Sequence, residues 1–497
     1  MIQFSKGLSI VILVFFSLVP VGVGEEIGYE PNWASLDRHP IPAWFQDAKF
    51  GIFVYWGLSA VPAYAPVGRY AEWYWYDQQT SPLGIDAKSG METTAAFHQR
   101  VYGSDFGYQD FLPQFKAECF DPEAWAEMIQ ASGARYALLN AKHHDGFCLF
   151  QSGEANRSWS RAWNCVDAGP KRDVLGELTE VVRARGIKMG IYFSLYEWSN
   201  PLWLLDRELY IEKHLFPQFK DVVTRYQPEL IFSDGEWDLS SAAWRSEELL
   251  AWLFNESPRG ADVVINDRWG NDTRHRHGDY YTTEYTSGLE GIAKPWEENR
   301  GMGHSYGYNR MERAGDYKSA EELVLMLVDI VSRGGNLFLD IGPTADGRIP
   351  VIMEERLRQM GAWLAVYGEA IYGTRPWTNS RQWSEGALPQ TTFGSQYMVA
   401  YDLQDWIEPK NEGQARIEAF FTRKGEALYA ICPKWPGKTF VLKDQTLKTG
   451  ALVTLLGVDT ELAWENTKVG AVISMPEMGP GDLPAEYGFV LKMELGE

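Results

Sequence analysis

The sequence predicts an α/β fold: a (β/α)₈-like TIM barrel followed by a C-terminal β-sandwich domain. Three observations support this prediction. Apolar segments typical of buried strands alternate with amphipathic helical patterns up to about residue 375. The strand candidates number eight, which is the count that a barrel of this class requires. Beyond residue 375 the helical pattern gives way to short apolar segments separated by turn residues.

The barrel prediction depends on a set of strand and helix candidates. The strand candidates are residues 50–57, 136–144, 188–198, 229–237, 262–270, 279–285, 301–308 and 336–343. The clearest helical patterns are residues 121–133, 174–186, 321–335 and 354–368. Asp121 before Pro122 is typical of a helix start, and Gly186 and Gly334 are typical of helix ends. A doubly wound sheet is the alternative, but no Gly-x-Gly-x-x-Gly follows the first strand.

The chain divides into three predicted parts. Residues 1–24 contain Lys6, an apolar run and small residues before Glu25, which is typical of a cleaved signal peptide. A membrane anchor is the alternative, but it needs about 20 uninterrupted apolar residues, and Pro20 ends this run. Residues 25–375 form the predicted catalytic barrel and residues 376–497 the β-sandwich. We therefore expect an exported protein, periplasmic or extracellular, that is not held in a membrane after cleavage.

The β-sandwich prediction depends on five further apolar segments. They are residues 395–403, 415–432, 439–444, 451–457 and 487–495. The second of these contains a hairpin turn at residues 423–425, where a glycine lies between two strand-like halves.

Composition narrows the possible partners. The formal net charge of −21 argues against a nucleic-acid partner, because binding phosphates requires a local excess of cations. The 21 Trp, 25 Tyr and 24 Phe are suited both to stacking against sugars and to filling a core.

Polar residues at the strand ends indicate the chemistry, because active sites of such barrels lie at the carboxyl ends of the strands. These residues are Tyr55, Trp56, His143, His144, Asp145, Tyr192, Tyr196, Glu197, Asp234, Glu236, Trp237, Asn266, Asp267, Arg268, Glu284, Tyr285, His304, Tyr306 and Asp340. Carboxylates, aromatic rings and histidines dominate, and no serine or cysteine nucleophile is evident. This mixture favours glycoside hydrolysis, in which two carboxylates act across the scissile bond.

Asp234 and Glu284 are the candidate catalytic pair. Asp234 ends a buried strand and precedes Gly235, which leaves room for a ligand, although an Asp before Gly also often forms an Asx turn. Glu284 lies between aromatic residues that could raise its pKa, as a general acid requires. Arg268 could contact either a ligand or a neighbouring acid as a structural ion pair.

The adjacent histidines His143 and His144 raise the question of a metal site. Neighbouring side chains of a strand point to opposite faces, so adjacent histidines rarely bind one ion. We therefore expect neither a metal nor another cofactor.

Several long motifs in this order resemble the α-L-fucosidases of glycoside hydrolase family 29. They are WFQDAKFGIFVYWGLSAVPAY, AEWYWY, AKHHDGF, ELIFSDGEW, INDRWG, TTEY, WEENRGMGHSYGYNR, GGNLFLDIGPTADGRIP and YGEAIYGTRPW. The resemblance extends from about residue 44 to residue 377 and implies a barrel with a C-terminal β-sandwich. It also implies release of terminal L-fucose with retention of configuration, from a fucosylated carbohydrate substrate.

The resemblance assigns a role to each site residue. It places the nucleophile at Asp234 and the acid/base at Glu284, with Glu297 and Glu298 as alternatives. It implies sugar contacts from Glu72, Trp73, His143, His144, Tyr192 and Arg268, and an aromatic wall near the C5 methyl group at Tyr306.

Two positions depart from the family pattern. The family usually has His-Trp-Gly where this sequence has Tyr55-Trp56-Gly57, and Phe232 stands where Trp is common. Tyr55 is therefore a candidate sugar contact of altered chemistry. An α-L-galactoside or a substituted fucoside remains an alternative substrate, and a non-catalytic carbohydrate-binding protein is a third hypothesis.

Overall fold

A computed structural model describes residues 28–494, apart from residues 392, 400, 459 and 480. The predicted signal peptide, residues 1–24, lies outside the described residues.

Eight parallel strands form one curled sheet, as predicted for the barrel. They are β1 Phe50–Val54, β2 Tyr136–Lys142, β3 Lys188–Ser194, β4 Leu230–Asp234, β5 Val264–Ile265, β6 Tyr281–Glu284, β7 Trp296–Gly301 and β8 Gly335–Ile341. Their order in the sheet is β5-β4-β3-β2-β1-β8-β7-β6, so β1 pairs with both β2 and β8. The ladder is therefore continuous everywhere except between β5 and β6.

Helices cover most of the outer face of the sheet. They are α1 Trp33–Leu36, α2 Ala43–Ala48, α3 Tyr74–Thr80, α4 Thr94–Val101, α5 Pro122–Ala131, α6 Gly153–Trp159, α7 Val174–Ala184, α8 Pro201–Leu205, α9 Arg207–Tyr210, α10 Phe216–Tyr226, α11 Ser241–Trp244, α12 Ser246–Glu256, α13 Ala320–Ser332, α14 Val351–Tyr367 and, beyond the barrel, α15 Gln404–Ile407. The four predicted helices correspond to α5, α7, α13 and α14. Asp121 caps α5 by accepting hydrogen bonds from two backbone N–H groups, as its position before Pro122 predicted. In the described chain no helix spans a membrane, since none is both long and apolar enough.

Side chains close the gap between β5 and β6. Asp267 accepts hydrogen bonds from the backbone and the hydroxyl of Thr282 at 3.1 and 2.7 Å. Asp279 accepts one from the backbone of Ile265 at 2.8 Å. These carboxylates satisfy backbone donors that a strand ladder would otherwise pair, so the barrel is held together without a hydrogen-bonded β5–β6 ladder.

The predicted seventh strand, residues 301–308, is wrong. The observed strand β7 is Trp296–Gly301, which carries two glutamates and an arginine and therefore lacks an apolar pattern. Its charges have buried partners: Glu297 accepts from the Tyr136 hydroxyl, and Glu298 accepts from Arg300 at 2.7 Å. The strand tolerates these charges because their hydrogen-bond partners lie on β7 itself, at Arg300, and across the barrel, at Tyr136 of β2.

Aromatic side chains fill the barrel interior. Phe53 stacks on Phe338 and Tyr192, with ring centroids 5.4 and 5.3 Å apart. Phe232 lies 5.8 Å from Phe338 and 5.9 Å from Tyr192. Each such pair contributes about 0.5–1.5 kcal/mol beyond the area it buries. The layer forms a rigid floor below the carboxyl ends of the strands.

The C-terminal part contains two antiparallel sheets, which agrees with the predicted sandwich. Its strands are β9 Arg375–Trp383, β10 Ile417–Lys424, β11 Ala427–Cys432, β12 Thr439–Lys443, β13 Val453–Leu455, β14 Trp464–Thr467, β15 Gly470–Ser474 and β16 Phe489–Glu494. The sheet orders are β13-β16-β11-β10-β9 and β12-β15-β14. The β10–β11 hairpin turns at Gly425, whose φ of 57° suits glycine.

One predicted strand of the C-terminal part, residues 395–403, is wrong. This segment makes only an isolated bridge, between Tyr397 and Glu284 at the end of β6. The segment lies against the barrel because β6 is at the edge of the sheet and its free backbone groups can pair there. Strands β9, β14 and β15 were not predicted, because their sequences are largely polar or short.

A buried ion-pair network joins the two parts of the chain. Arg381 of β9 and Arg333 both contact Asp329 of α13, at 2.5 and 2.6 Å. The Tyr401 hydroxyl donates to the same carboxylate at 2.8 Å. Burial would raise the pKa of Asp329, but the two guanidinium groups lower it.

Candidate active site

A cavity of about 470 Å³ opens at the carboxyl ends of the barrel strands. It brings together all ten residues for which the sequence predicted a role at the site. They are Tyr55, Glu72, Trp73, His143, His144, Tyr192, Asp234, Arg268, Glu284 and Tyr306. Their place in the cavity is observed, and the role of each in catalysis or binding stays a prediction.

The backbone after β4 directs Asp234 into the cavity. Asp234 is the last residue of the strand, and Gly235 follows it with a φ of 73°. A Cβ on Gly235 would lie 2.9 Å from both Ser194 Oγ and Tyr196 Cβ. Glycine is therefore required at this turn for two reasons, its backbone conformation and the close approach of β3.

Two guanidinium groups, a hydroxyl and an imidazole surround the Asp234 carboxylate. Tyr192 donates its hydroxyl hydrogen to Oδ2 at 2.8 Å, and Arg268 Nη1 donates to Oδ1 at 3.0 Å. His144 Nε2 lies 3.6 Å from Oδ2, and Arg274 Nη2 lies 3.7 Å from Oδ1. Burial alone would raise the pKa of Asp234, but the guanidinium groups of Arg268 and Arg274 and the hydrogen bond from Tyr192 hold it below its usual value. The carboxylate is therefore ionised at neutral pH, as a nucleophile must be.

Glu284 has the opposite electrostatic environment. It is the last residue of β6, and it accepts hydrogen bonds from Arg268 Nη2 at 3.2 Å and the Tyr70 hydroxyl at 3.4 Å. Burial raises the pKa of Glu284; Arg268 opposes this shift, and the negative charge of Asp234 adds to it. Glu284 therefore retains its proton to a higher pH than an ordinary glutamate does.

Arg268 connects the two carboxylates. Its Nη1 contacts Asp234 and its Nη2 contacts Glu284, while Nε donates to Thr282 Oγ1 at 3.0 Å. Its guanidinium carbon lies 4.8 Å from the ring centre of Phe232. The guanidinium is thus held on three sides, and it makes its ion pairs with the two cavity acids themselves.

A third carboxylate, Glu236, also lines the cavity. Its Oε1 accepts a hydrogen bond from Arg274 Nε at 2.6 Å, and its Oε2 has no partner among the described residues. Burial raises its pKa, with Arg274 opposing the shift and Asp234 adding to it. The sequence analysis noted Glu236 at a strand end but gave it no role. Because its carboxylate lines the cavity, it is a better alternative acid than Glu297 or Glu298.

Glu297 and Glu298 lie in strand β7 and are engaged elsewhere. Glu297 is buried beneath the site against Tyr136, and burial raises its pKa to about 8. Glu298 accepts from Arg300 and from the backbone of Thr286 at 3.0 Å. Neither is among the residues that line the cavity, so this geometry does not favour the two alternative acid assignments, which stay untested predictions.

The paired histidines both line the cavity, contrary to the expected alternation of faces. Strand β2 ends at Lys142, so His143 and His144 belong to a turn and their rings lie 3.9 Å apart. His144 Nδ1 lies 2.6 Å from Ser194 Oγ, and burial lowers its pKa to about 4. Burial also lowers the pKa of His143, whose Nδ1 has no partner among the described residues. Both rings are therefore neutral at pH 7.

Among the residues that the structure describes, no cluster of three or more His, Cys, Asp or Glu is placed to hold a metal ion.

Glu72 and Tyr55 occupy the side of the cavity formed by the loop after β1. Glu72 Oε2 accepts from Gly307 N at 2.9 Å and Ser305 Oγ at 3.1 Å, and burial raises its pKa to about 8. The Tyr55 hydroxyl lies 3.2 Å from Ser59 Oγ, and its ring meets His143 edge-on at 4.9 Å.

Tyr306 lies in the loop after β7 and forms an aromatic wall. Its hydroxyl donates to the backbone oxygen of Asn299 at 3.2 Å. Its ring lies 5.5 Å from Tyr285 and 5.6 Å from Tyr70. The ring therefore presents a fixed apolar face, which a methyl group can contact.

Sequence reasoning missed several residues of the cavity. The missed residues include Phe53, Tyr70, Asn271, Arg274, Asn299, Gln396 and Tyr397. Tyr70 adjoins the AEWYWY motif and could have been found from it. Gln396 and Tyr397 lie in the part assigned to the β-sandwich, and no local signal connects them to the barrel.

Two family models match the chain. One described as alpha-L-fucosidase matches residues 21–369, and one described as alpha-L-fucosidase C-terminal domain matches residues 413–494. The chain is 40% identical over 484 residues to plasma alpha-L-fucosidase of Rattus norvegicus, covering 94% of each chain. It is 37% identical over 475 residues to tissue alpha-L-fucosidase of Homo sapiens, covering 94% of this chain and 91% of that one.

Solved structures agree with these matches. The alpha-fucosidase of Thermotoga maritima in complex with a mechanism-based inhibitor superposes with a TM-score of 0.73 at 31% identity. The same enzyme in complex with fucose gives a TM-score of 0.72 at 30% identity. Each alignment covers 94% of this chain and 100% of the other.

Proposed function

The chain belongs to the α-L-fucosidase family, and we propose that it is a retaining exo-α-L-fucosidase acting on terminal α-L-fucosyl groups of oligosaccharides, polysaccharides or glycoconjugates. One observation carries the mechanism. Asp234 and Glu284 contact the same guanidinium group, yet their pKa values are shifted in opposite directions. Two carboxylates in one cavity, one with a lowered pKa that suits a nucleophile and one with a raised pKa that suits an acid, are the pair that glycoside hydrolysis requires.

The first step forms a covalent intermediate. The ionised Asp234 oxygen attacks the anomeric carbon of fucose, and the bond from that carbon to the leaving-group oxygen breaks. Glu284 gives its proton to that oxygen, so the leaving group departs as a neutral alcohol.

The second step regenerates the enzyme. Glu284, now ionised, takes a proton from a water molecule whose oxygen attacks the anomeric carbon. The ester bond to Asp234 breaks and its carboxylate returns. Two inversions give net retention.

Arg268 and Tyr192 stabilise the nucleophile before attack. Both hold Asp234 by hydrogen bonds, and Tyr192 is itself fixed by stacking on Phe53 and Phe232. As the ester forms, the Asp234 charge disappears, so the guanidinium becomes available to the ionised Glu284 of the second step.

The stereochemistry of azide rescue tests both assignments. With an aryl α-L-fucoside that has a good leaving group, Asp234→Gly should be almost inactive, and added azide should form β-L-fucosyl azide by one displacement. Glu284→Ala should form α-L-fucosyl azide, because azide attacks the Asp234 ester. Glu236→Ala is the matched comparison for the acid. If α-L-fucosyl azide forms with Glu236→Ala and not with Glu284→Ala, the acid/base role belongs to Glu236.

The same assay distinguishes the alternative functions. Wild-type protein should release the aryl group from an α-L-fucoside faster than from an α-L-galactoside. A preference for the galactoside would contradict the proposed sugar. No release from either substrate would contradict the proposed activity and favour a carbohydrate-binding protein.

We also propose that the protein is exported after cleavage of residues 1–24. Lys6, the apolar run and the small residues before Glu25 support this proposal. N-terminal sequencing of the protein purified from its producing cells should find a start near residue 25. A chain that retains residues 1–24 and stays with the cytosolic fraction would contradict export.

A further inference from the structure

Two aromatic side chains at the cavity remain largely accessible. Tyr397 is 49% exposed and Trp237 is 38% exposed, although both line the cavity. The other cavity rings are either buried, as Tyr192 and Tyr306 are, or half-buried, as Tyr70 and Trp73 are. Tyr397 and Trp237 are therefore the exposed rings at the rim of the cavity.

Tyr397 reaches the rim because its backbone pairs with that of Glu284. The N–H of Glu284 donates to the backbone oxygen of Gln396 at 3.2 Å, and the N–H of Met398 donates to the backbone oxygen of Glu284 at 2.9 Å. Val399 N–H donates to the backbone oxygen of Tyr285 at 3.1 Å. A segment from beyond the barrel thus continues the sheet at the exposed edge of β6.

This pairing determines which part of the substrate Tyr397 would meet. The general acid gives its proton to the leaving-group oxygen, so the residues beside the acid adjoin the leaving group. Tyr397 flanks Glu284 directly, whereas Trp237 follows the nucleophile by three residues and packs 5.1 Å from His144 and 5.8 Å from Trp73. Tyr397 is therefore on the leaving-group side of the cavity.

The Tyr397 ring is held by a hydrogen-bonded pair of hydroxyls. Its hydroxyl contacts that of Tyr70 at 3.4 Å, and the Tyr70 hydroxyl in turn contacts Glu284 Oε1 at 3.4 Å. Gln396 and Asn271 also line the cavity and offer amide groups. An accessible ring with amides nearby is suited to a sugar, which presents C–H groups on one face and hydroxyls at its edge.

We propose that Tyr397 forms the wall of a subsite for a sugar leaving group and thereby raises the rate on fucosyl saccharides relative to substrates whose leaving group does not fill that subsite. The proposal rests on the proposed fucosidase function and extends it to the aglycone. It also makes residues 396–399, which follow the barrel in the chain, part of the active site.

The test compares two substrates that differ only in the leaving group. α-L-Fucosyl fluoride leaves this subsite empty, and an α-L-fucosyl-galactose disaccharide fills it. Tyr397→Ala should lower kcat/KM about 10-fold on the disaccharide and less than about 2-fold on the fluoride. Tyr397→Phe, which keeps the ring, should stay within about 2-fold of wild type on both substrates.

Two further variants serve as controls. Tyr76→Ala removes a tyrosine of 38% exposure that does not line the cavity, although it packs on Trp73 and Trp198. This variant should leave the ratio of the two kcat/KM values unchanged. Trp237→Ala should lower both kcat/KM values to a similar extent, because its ring supports His144 and Trp73 on the fucose side.

Each other outcome has a defined meaning. An equal loss on both substrates in Tyr397→Ala would overturn the subsite, because the fluoride does not occupy it. A loss on the disaccharide in Tyr397→Phe as large as in Tyr397→Ala would also overturn it and assign Tyr397 to positioning Glu284 through Tyr70, since fluoride departs without a proton from the acid. No loss in Tyr397→Ala would also overturn it, as would a wild type that hydrolyses the fluoride but not the α1,2-, α1,3- or α1,6-linked disaccharides. Failure to hydrolyse the fluoride would instead contradict the proposed function itself.

Discussion

Arg268 donates from Nη1 to Asp234 Oδ1 across 3.0 Å, and it does so with its side chain 2% exposed. The guanidinium cannot turn away, because Thr282 holds its Nε and Phe232 lies beneath it. The low pKa of Asp234 therefore depends first on this rigidly held guanidinium, with Arg274 and Tyr192 adding to the effect.

Replacing Arg268 by lysine should damage catalysis and shift its pH dependence. A lysine carries one compact charge and cannot contact Asp234 and Glu284 together, so kcat/KM on an aryl α-L-fucoside should fall about 100-fold. Because Arg268 lowers the pKa of Asp234, its loss raises that pKa, and the acid limb of the profile should move to higher pH. Measuring kcat/KM as a function of pH for the wild type and for Arg268→Lys checks this prediction.

Arg69→Lys is the matched control, since Arg69 pairs with Asp86 and its side chain is 47% exposed. It should leave both the rate and the acid limb unchanged. An acid limb that stays in place in Arg268→Lys would show that a compact charge at this position lowers the Asp234 pKa as well as the guanidinium does.

The wild-type pH profile should be broad. Asp234 must be ionised and its pKa is lowered, so activity should persist below the usual range of an aspartate. Glu284 must be protonated and its pKa is raised, so activity should persist above the usual range of a glutamate. Glu284→Gln should lose the basic limb on a substrate with a good leaving group. A basic limb that persists in this variant would assign that limb to another group, with Glu236 the first to test.

Glu72 should make stability depend on pH. Burial raises its pKa to about 8 in the folded protein, above the value of about 4.3 for an unfolded glutamate. The unfolded chain therefore releases this proton first, and its contribution to stability falls as pH rises from about 4 to 8. Glu72→Gln has no proton to lose there. Its melting temperature should match wild type near pH 4 and exceed it increasingly up to pH 8.

Glu92→Gln provides the comparison for Glu72. Glu92 lies at the surface, and its pKa is lowered by the Arg100 side chain. This variant should gain no stability as pH rises. A gain like that of Glu72→Gln would show that the effect is not due to burial.

Removing the Tyr55 hydroxyl should change the sugar preference little. The hydroxyl lies 3.2 Å from Ser59 Oγ, so this contact already uses it. Tyr55→Phe should keep kcat/KM on both the α-L-fucoside and the α-L-galactoside within about 3-fold of wild type, which is less than about 1 kcal/mol. A loss of 10-fold or more on one substrate alone would show that the hydroxyl contacts the sugar.

Breaking the contact between the barrel and the C-terminal sheets should be costly. Arg381→Met removes one of the two guanidinium groups on buried Asp329, and the free energy of unfolding should fall by about 3 kcal/mol in urea titration. Arg423→Met, at an exposed pair with Glu426, should change it by less than about 0.5 kcal/mol. Equal effects of the two substitutions would contradict a structural role for the buried network.

Much of the barrel could be predicted because its strands carry a local signal. Seven of the eight strand candidates coincide with observed strands, and the seventh candidate shares only Gly301 with β7. The seventh failed because Glu297, Glu298 and Arg300 suggest a loop, and only their partners elsewhere in the barrel make them compatible with a buried strand. The polar ends of β4 and β6 led directly to Asp234 and Glu284, since strand ends can be read from a change in pattern.

The sequence by itself determined the fold class, the family resemblance and the ten residues that share one cavity, because these depend on local patterns and on motif order. Tertiary structure alone decided that Arg268 joins Asp234 to Glu284, that Glu236 rather than Glu297 or Glu298 lines the cavity with them, and that Tyr397 lies next to Glu284. These relationships are distances between side chains far apart in the chain. The opposite pKa shifts of the two acids follow from the same distances and from burial, neither of which a linear pattern contains.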